Sequence, residues 1–200
     1  MEQLSYYTNL ASFVLIILLW LVFAGTFLLR KRPASSPDKV GVPSSFLGVA
    51  LQGLSFGIVW AVRRSPLFSP FADDQYALNI VLQVLAVAIA GASVWLTISA
   101  VRELGRQWSL KARLIEGHKL VSTGVYGIVR HPIYTAMLGK LIATGLVYSH
   151  WIALIAAIIL FLIGTRIRTN IEERLLGEAF GDEFNEWKGR VPGLVPFLKF

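Results

Sequence analysis

The chain has 200 residues, of which 55% are hydrophobic and 16% charged, so it is more apolar and less charged than a typical soluble domain. The apolar residues form long uncharged blocks, which predicts an integral membrane protein. The chain has no cysteine, which excludes disulfides and thiolate chemistry. Its net charge of +7 fits basic loops beside a membrane better than a nucleic-acid partner, because no nucleic-acid-binding motif accompanies it.

Five apolar blocks are predicted to be membrane helices, at residues 10–29, 45–62, 77–101, 133–148 and 151–165. Basic residues follow the first block, which favours a retained anchor over a cleaved signal peptide. Gln52, Ser55 and three glycines make the second block weaker. Only Ser149 and His150 separate the last two blocks, so we expect a tight antiparallel hairpin there.

The loops predict the orientation of the bundle. Sixteen of the nineteen lysines and arginines fall on one side of the predicted helices, so we expect the amino terminus outside and the carboxyl terminus in the cytoplasm. Lys140 falls inside the fourth block, where a charge is costly and often functional, although its long stem could also reach one face of the membrane. We assign it no role.

Two polar segments outside the blocks have contrasting compositions. The stretch RKRPASSPDKVGVPSS, residues 30–45, is rich in proline and serine and predicts a flexible linker. Residues 172–191 predict an amphipathic helix on the membrane surface, because Leu176, Phe180, Phe184 and Trp187 recur at near-helical spacing. The whole chain is predicted to be one domain, with three helices in residues 1–101 and the site in residues 102–200.

Two polar strings flank the predicted hairpin. In GVYGIVRHPIY, residues 124–134, we expect His131 to precede the fourth helix and Pro132 to begin it, because proline favours the first helical turn. In RIRTNIEERLL, residues 166–176, Arg168 and Glu172 are four residues apart and share a helix face. Taken separately, the strings also fit an interfacial belt and a solvated ion pair. Because the hairpin brings them together, we predict one site with an aqueous mouth and an apolar floor.

The strings HKLVSTGVYGIVRHPIY and RIRTNIEERLLGEAFGDEFNEWKGRVPGLVPF, within residues 104–197, resemble the isoprenylcysteine carboxyl methyltransferase family, which belongs with the phospholipid methyltransferases. The resemblance implies an all-α membrane bundle of about five helices that uses S-adenosylmethionine and no metal. It implies that Arg168 contacts the substrate carboxylate and that Arg168 and Glu172 lie at the reacting centre. The implied cofactor contacts are His118, Lys119, Leu120, Val121, Tyr126, His131, Pro132, Ile133, Tyr134 and Glu172.

One position departs from the family pattern. Lys111 stands where eukaryotic members have a cofactor-contacting glutamine, seven residues before the histidine, and Gln107 is offset from that place by four residues.

The residue types suit methyl transfer to a carboxylate. Such a transfer is an in-line displacement that mainly requires two reactants to be held in line, and an ionised carboxylate needs no general base. The sequence leaves the acceptor open between a prenylated cysteine, a phospholipid amine and a small hydrophobic acid. Two other interpretations also stay open at this point: a reductase related to sterol reductases, which would bind a nicotinamide cofactor, and a membrane protein without enzymatic activity.

Overall fold

The computed structural model describes residues 1–29, 38–41, 45–64, 71, 75–108, 113–115, 117 and 119–195. These residues form a helical bundle, as the sequence predicts. Its helices are α1 (Glu2–Leu28), α2 (Ser45–Ala61), α3 (Tyr76–Leu104), α4 (Pro132–Tyr148) and α5 (Trp151–Arg190).

Three of the described helices, α1, α3 and α5, are long and apolar enough to cross a bilayer. The most apolar windows of these helices have mean hydropathies of 2.5, 2.2 and 2.0. Helices α2 and α4 have 17 residues each and are shorter. The protein is therefore an integral membrane protein, while its orientation stays a prediction.

Helix α4 lies at the centre of the bundle and packs against each of the other four helices. Helix α1 packs on α3, and α2 packs on α5. This central position explains why Lys140, in the middle of α4, is completely buried. Its ammonium nitrogen lies 4.8 Å from the ring centroid of Trp20, whose indole N–H donates to Thr144.

The crossing of α2 and α5 depends on two glycines. A Cβ atom on Gly164 would lie 2.8 Å from the carbonyl oxygen of Gly48. A Cβ atom on Gly48 would in turn lie 2.5 Å from Cγ of Arg168. The two helix backbones approach so closely that only glycine fits at these positions, and this approach places α2 directly beside Arg168.

The start of α4 and the connection to α5 agree with the sequence predictions. Helix α4 begins at Pro132, and His131 before it has non-helical angles of φ −125° and ψ 61°. Only Ser149 and His150 separate α4 from α5. The hairpin therefore brings the start of α4 beside the middle of α5.

The predicted flexible linker is wrong in one part. Within it, residues Asp38–Gly41 form strand β1, which pairs antiparallel with strand β2 (Arg113–Ile115). The partner strand is more than seventy residues away in the chain, so local composition gives no sign of the pairing.

The helix predicted at residues 172–191 is confirmed as helical up to Arg190, but it continues α5 and part of its apolar stripe does not lie on the membrane surface. Helix α5 runs from Trp151 to Arg190 and changes direction at Gly181, whose φ of 53° lies in the left-handed region that favours glycine. Phe184 and Trp187 are buried and pack against Ala100 and Tyr126 instead of facing lipid. The apolar stripe is real, but protein covers this part of it.

Candidate active site

A pocket of about 510 Å³ lies where α4 begins, beside the middle of α5. The ends of α1 and α3 and the part of α2 between Val49 and Phe56 complete its wall. Polar groups from the two predicted strings gather at one end of the pocket, and aromatic and aliphatic side chains line the other.

Ten of the eleven predicted site residues line this pocket. They are Lys119, Leu120, Val121, Tyr126, His131, Pro132, Ile133, Tyr134, Arg168 and Glu172. The eleventh, His118, lies outside the described residues, as does Lys111. Gln107 lines the pocket, and its side-chain oxygen accepts a hydrogen bond from the backbone N–H of Lys119. The roles of these residues stay a prediction.

Arg168, Tyr134 and Glu172 form a hydrogen-bonded group at the polar end. The Nε–H of Arg168 donates to the Tyr134 hydroxyl at 2.6 Å, and that hydroxyl donates to Oε1 of Glu172. Nη2 of Arg168 also contacts Oε1 of Glu172 at 3.2 Å, as the four-residue spacing indicates. Each member fixes the other two, so a buried cation and a half-buried anion are held in one arrangement.

Glu173 organises the opposite side of the same polar end. Its carboxylate contacts Nε of Arg130 at 2.9 Å, Nε2 of His131 at 3.0 Å and the ammonium group of Lys188 at 2.8 Å. The other ring nitrogen of His131, Nδ1, lies 3.7 Å from Oε2 of Glu172. His131 is therefore held between two neighbouring carboxylates, a role for Glu173 that the sequence did not indicate.

A C-terminal strap, which we define as residues 191–195, covers the start of α4. The backbone N–H of Arg130 donates to the Pro192 carbonyl at 2.8 Å, and that of His131 donates to the Gly193 carbonyl at 3.0 Å. The Thr135 hydroxyl donates to the Leu194 carbonyl at 2.5 Å. These bonds fix the backbone that carries Arg130 and His131.

Tyr126 lies in a 3-10 turn over Gly124–Gly127, immediately before α4. Its backbone carbonyl accepts a hydrogen bond from the indole N–H of Trp187 at 3.1 Å. The backbone N–H of the preceding residue, Val125, donates to the carboxylate of Glu103. Burial, and then the carboxylates of Glu172 and Glu103, raise the pKa of the Tyr126 hydroxyl above its ordinary value. The group is therefore a neutral hydroxyl at physiological pH.

Sequence reasoning missed the apolar end of the pocket. Phe23 and Phe27 line it from α1, whereas Val49, Gln52 and Phe56 line it from α2. None of these residues belongs to a motif. The one available signal was Gln52, because a polar side chain within a membrane helix often marks a functional site.

Comparison with known proteins places the chain in a family. The model of the family described as phospholipid methyltransferase matches residues 81–183, which is just over half of the chain. The chain belongs to the phospholipid methyltransferase family. This result confirms the relationship that the two polar strings indicated.

The curated relatives that the chain matches are named protein-S-isoprenylcysteine O-methyltransferases. The chain is 35% identical over 102 residues to form B from Arabidopsis thaliana, covering 50% of this chain and 52% of the relative. It is 29% identical over 147 residues to the Saccharomyces cerevisiae enzyme, covering 72% and 62%. It is 37% identical over 82 residues to the Homo sapiens enzyme, covering 41% and 29%. The chain thus spans less than two thirds of the length of each of these three relatives.

Proposed function

We propose that this protein is an integral membrane methyltransferase that uses S-adenosylmethionine to methylate the carboxylate of a lipophilic, isoprenylcysteine-like acceptor. The observation that carries the proposal is the single pocket in which Arg168, Tyr134 and Glu172 at one end face an apolar end between α1 and α2. The names of the relatives support the acceptor class.

The polar end of the pocket suits S-adenosylmethionine, which carries an ammonium group and a sulfonium. Glu172 supplies a carboxylate that is partly exposed to the pocket, and its Oε2 lies on the side turned toward His131. The aromatic rings of Tyr126 and Tyr134 supply faces that attract cations. Leu120 and Val121 add apolar surface. When bound, the cofactor supplies an electrophilic methyl group on sulfur.

Arg168 is suited to orient the acceptor. Its guanidinium is buried and lines the pocket, and a planar guanidinium binds carboxylates with defined geometry. The acceptor carboxylate is ionised at neutral pH, so the side chains need to align it and exclude water, and no base has to remove a proton. Tyr134 keeps Arg168 in place for this task through the 2.6 Å hydrogen bond.

The apolar end suits the lipid part of the acceptor. Phe23 and Phe27 on α1 line the pocket together with Val49 and Phe56 on α2, and the ring centroids of Trp20 on α1 and Phe56 are 5.2 Å apart. We propose that the acceptor enters sideways from the bilayer and that the polar end faces the cytoplasm, in keeping with the distribution of basic residues.

Titration of S-adenosylhomocysteine, the demethylated cofactor product, into detergent-purified protein tests the cofactor assignment. We expect saturable binding by the wild type and by Glu178→Ala, a control on the same helix with a side chain that is 65% exposed. We expect Glu172→Ala to lose most of this binding. Absence of binding by the folded wild type would refute the assignment, and a reduced nicotinamide cofactor would be the next ligand to titrate.

A phospholipid amine is the second candidate acceptor, because the description of the matching family names phospholipids. In that case Arg168 would hold the lipid phosphate instead of the reacting carboxylate. The two acceptors give different products, since a carboxyl methyl ester is cleaved by mild base and an N-methyl group is not.

A further inference from the structure

Gln52 is a buried amide side chain in an otherwise apolar stretch of the pocket wall. It lies on α2, is 4% exposed, and has Val49, Gly53 and Phe56 as pocket-lining neighbours on the same helix. Its Nε2 donates to the Thr165 hydroxyl on α5 at 2.9 Å. Among the residues that the structure describes, none donates a hydrogen bond to its Oε1, and this oxygen is not one of the fully enclosed side-chain atoms, so it is open to the pocket. An acceptor in an apolar wall is costly unless a ligand or water supplies a donor.

The position of Gln52 relative to Arg168 follows from the crossing of α2 and α5. Gly48, which touches the side chain of Arg168, precedes Gln52 by four residues on α2. Thr165, which holds Gln52, precedes Arg168 by three residues on α5. Both helices therefore place Gln52 about one turn, roughly 5 Å, from the level of the Arg168 side-chain stem, in the direction of Phe56 on α2.

We propose that Gln52 determines acceptor specificity by accepting a hydrogen bond from an amide N–H next to the acceptor's carboxylate. This inference rests on the proposed function. If the carboxylate binds at Arg168 and the lipid lies between Phe23 and Phe56, the substituent beside the carboxylate reaches the level of Gln52. A neutral carbonyl oxygen in an apolar wall matches a neutral N–H, whereas a free ammonium group would need a carboxylate partner.

Within the isoprenylcysteine-like class already proposed, the acceptor that matches Gln52 is an N-acylated amino acid that carries a lipid on its side chain. The carboxyl-terminal residue of a lipid-modified peptide has this structure, because its nitrogen belongs to a peptide bond. A lipid-modified amino acid with a free amino group, or a simple fatty acid, lacks the neutral donor and would leave Oε1 of Gln52 without a partner.

A pair of substrates and a pair of variants test this role. The substrates are N-acetyl-S-farnesylcysteine and S-farnesyl-3-thiopropionate, which differ only in the acetamido group beside the carboxylate. The variants are Gln52→Met, which keeps the length of the side chain, and Gln83→Met. Gln83 is a fully buried glutamine on α3 that is not among the pocket-lining residues.

We expect wild type to use the N-acetyl compound about tenfold better, as measured by kcat/KM, since one hydrogen bond contributes on the order of a factor of ten. Gln52→Met should remove this preference by raising the KM for the N-acetyl compound. Its kcat should change little, because the amide group of the acceptor does not react. Gln83→Met should keep the wild-type preference. Thr165→Val, which frees the Gln52 amide, should reduce the preference partially.

Two outcomes would overturn the inference. Equal losses on both substrates in Gln52→Met would mean that Gln52 only joins α2 to α5, and an unchanged preference would mean that it makes no contact with the acceptor. Failure of the proposed function looks different, because wild type would then methylate neither compound.

Discussion

The hydroxyl group of Tyr134 joins the two charged residues of the site, so Tyr134→Phe tests whether this connection matters. The substitution removes the group that accepts from Nε of Arg168 at 2.6 Å and donates to Glu172. The ring remains, with the guanidinium carbon 5.4 Å from its centroid, so we expect the variant to fold.

The magnitude follows from the contacts that are lost and kept. A hydrogen bond to a charged group contributes about 1.5–3 kcal/mol. Two such bonds disappear, but the direct 3.2 Å contact between Arg168 and Glu172 persists, so we expect a net loss of about 2 kcal/mol. This corresponds to a decrease of about 30-fold in kcat/KM for methyl transfer.

Initial-rate kinetics on Tyr134→Phe and Tyr148→Phe measure this effect. Tyr148 is at the other end of α4, and its ring stacks on Phe13 at 5.6 Å, away from the pocket. We expect the control to keep the wild-type rate. If Tyr134→Phe matched wild type in rate and in cofactor-product affinity, the hydrogen-bonded group would not organise the site.

Three further substitutions test the packing around the pocket. Gly164→Ala should lower the stability measured by thermal unfolding in detergent by about 1–3 kcal/mol, because its Cβ would lie 2.8 Å from a backbone oxygen of α2. Gly57→Ala, whose Cβ would have no atom within 4 Å, should leave that stability unchanged. Equal stability of the two variants would contradict the close crossing of α2 and α5. Glu173→Gln should speed hydrogen exchange of the Arg130 and His131 amides, which bond to the C-terminal strap, because the side chain no longer neutralises Arg130 and Lys188. Unchanged exchange would argue against this stabilising role of Glu173. Lys140→Met should leave the thermal stability unchanged or raise it, because the buried ammonium group has no hydrogen-bond partner among the described residues. A loss of stability above about 2 kcal/mol would exceed what the contact of this ammonium group with the Trp20 ring supplies, and would show a missed interaction.

Features that depend on neighbouring residues were predictable from the sequence. Proline after histidine indicated that α4 begins at Pro132, because the ring of proline restricts its own angles and those of the preceding residue. The spacing of Arg168 and Glu172 indicated that they share a helix face, and they are in contact. The two-residue connection indicated the hairpin that brings the polar strings together.

Features that depend on distant parts of the chain were not predictable in the same way. The partners of Glu173 come from the start of α4 and the end of α5, so no local pattern shows them. The apolar wall from α1 and α2 has the composition of any membrane helix, and only packing decides which of its side chains face the pocket. The pairing of β1 with β2 likewise joins distant segments.

The most direct test of the proposed function is transfer of a radiolabelled methyl group from S-adenosylmethionine to N-acetyl-S-farnesylcysteine by purified protein in lipid vesicles, followed by treatment with mild base. The proposal predicts that wild type labels the acceptor, that base releases the label as methanol, and that Arg168→Ala abolishes labelling while Arg174→Ala, an exposed arginine on the same helix, retains it. Label that resists base and appears only when vesicles contain phosphatidylethanolamine would contradict the carboxylate acceptor and indicate methylation of a phospholipid amine.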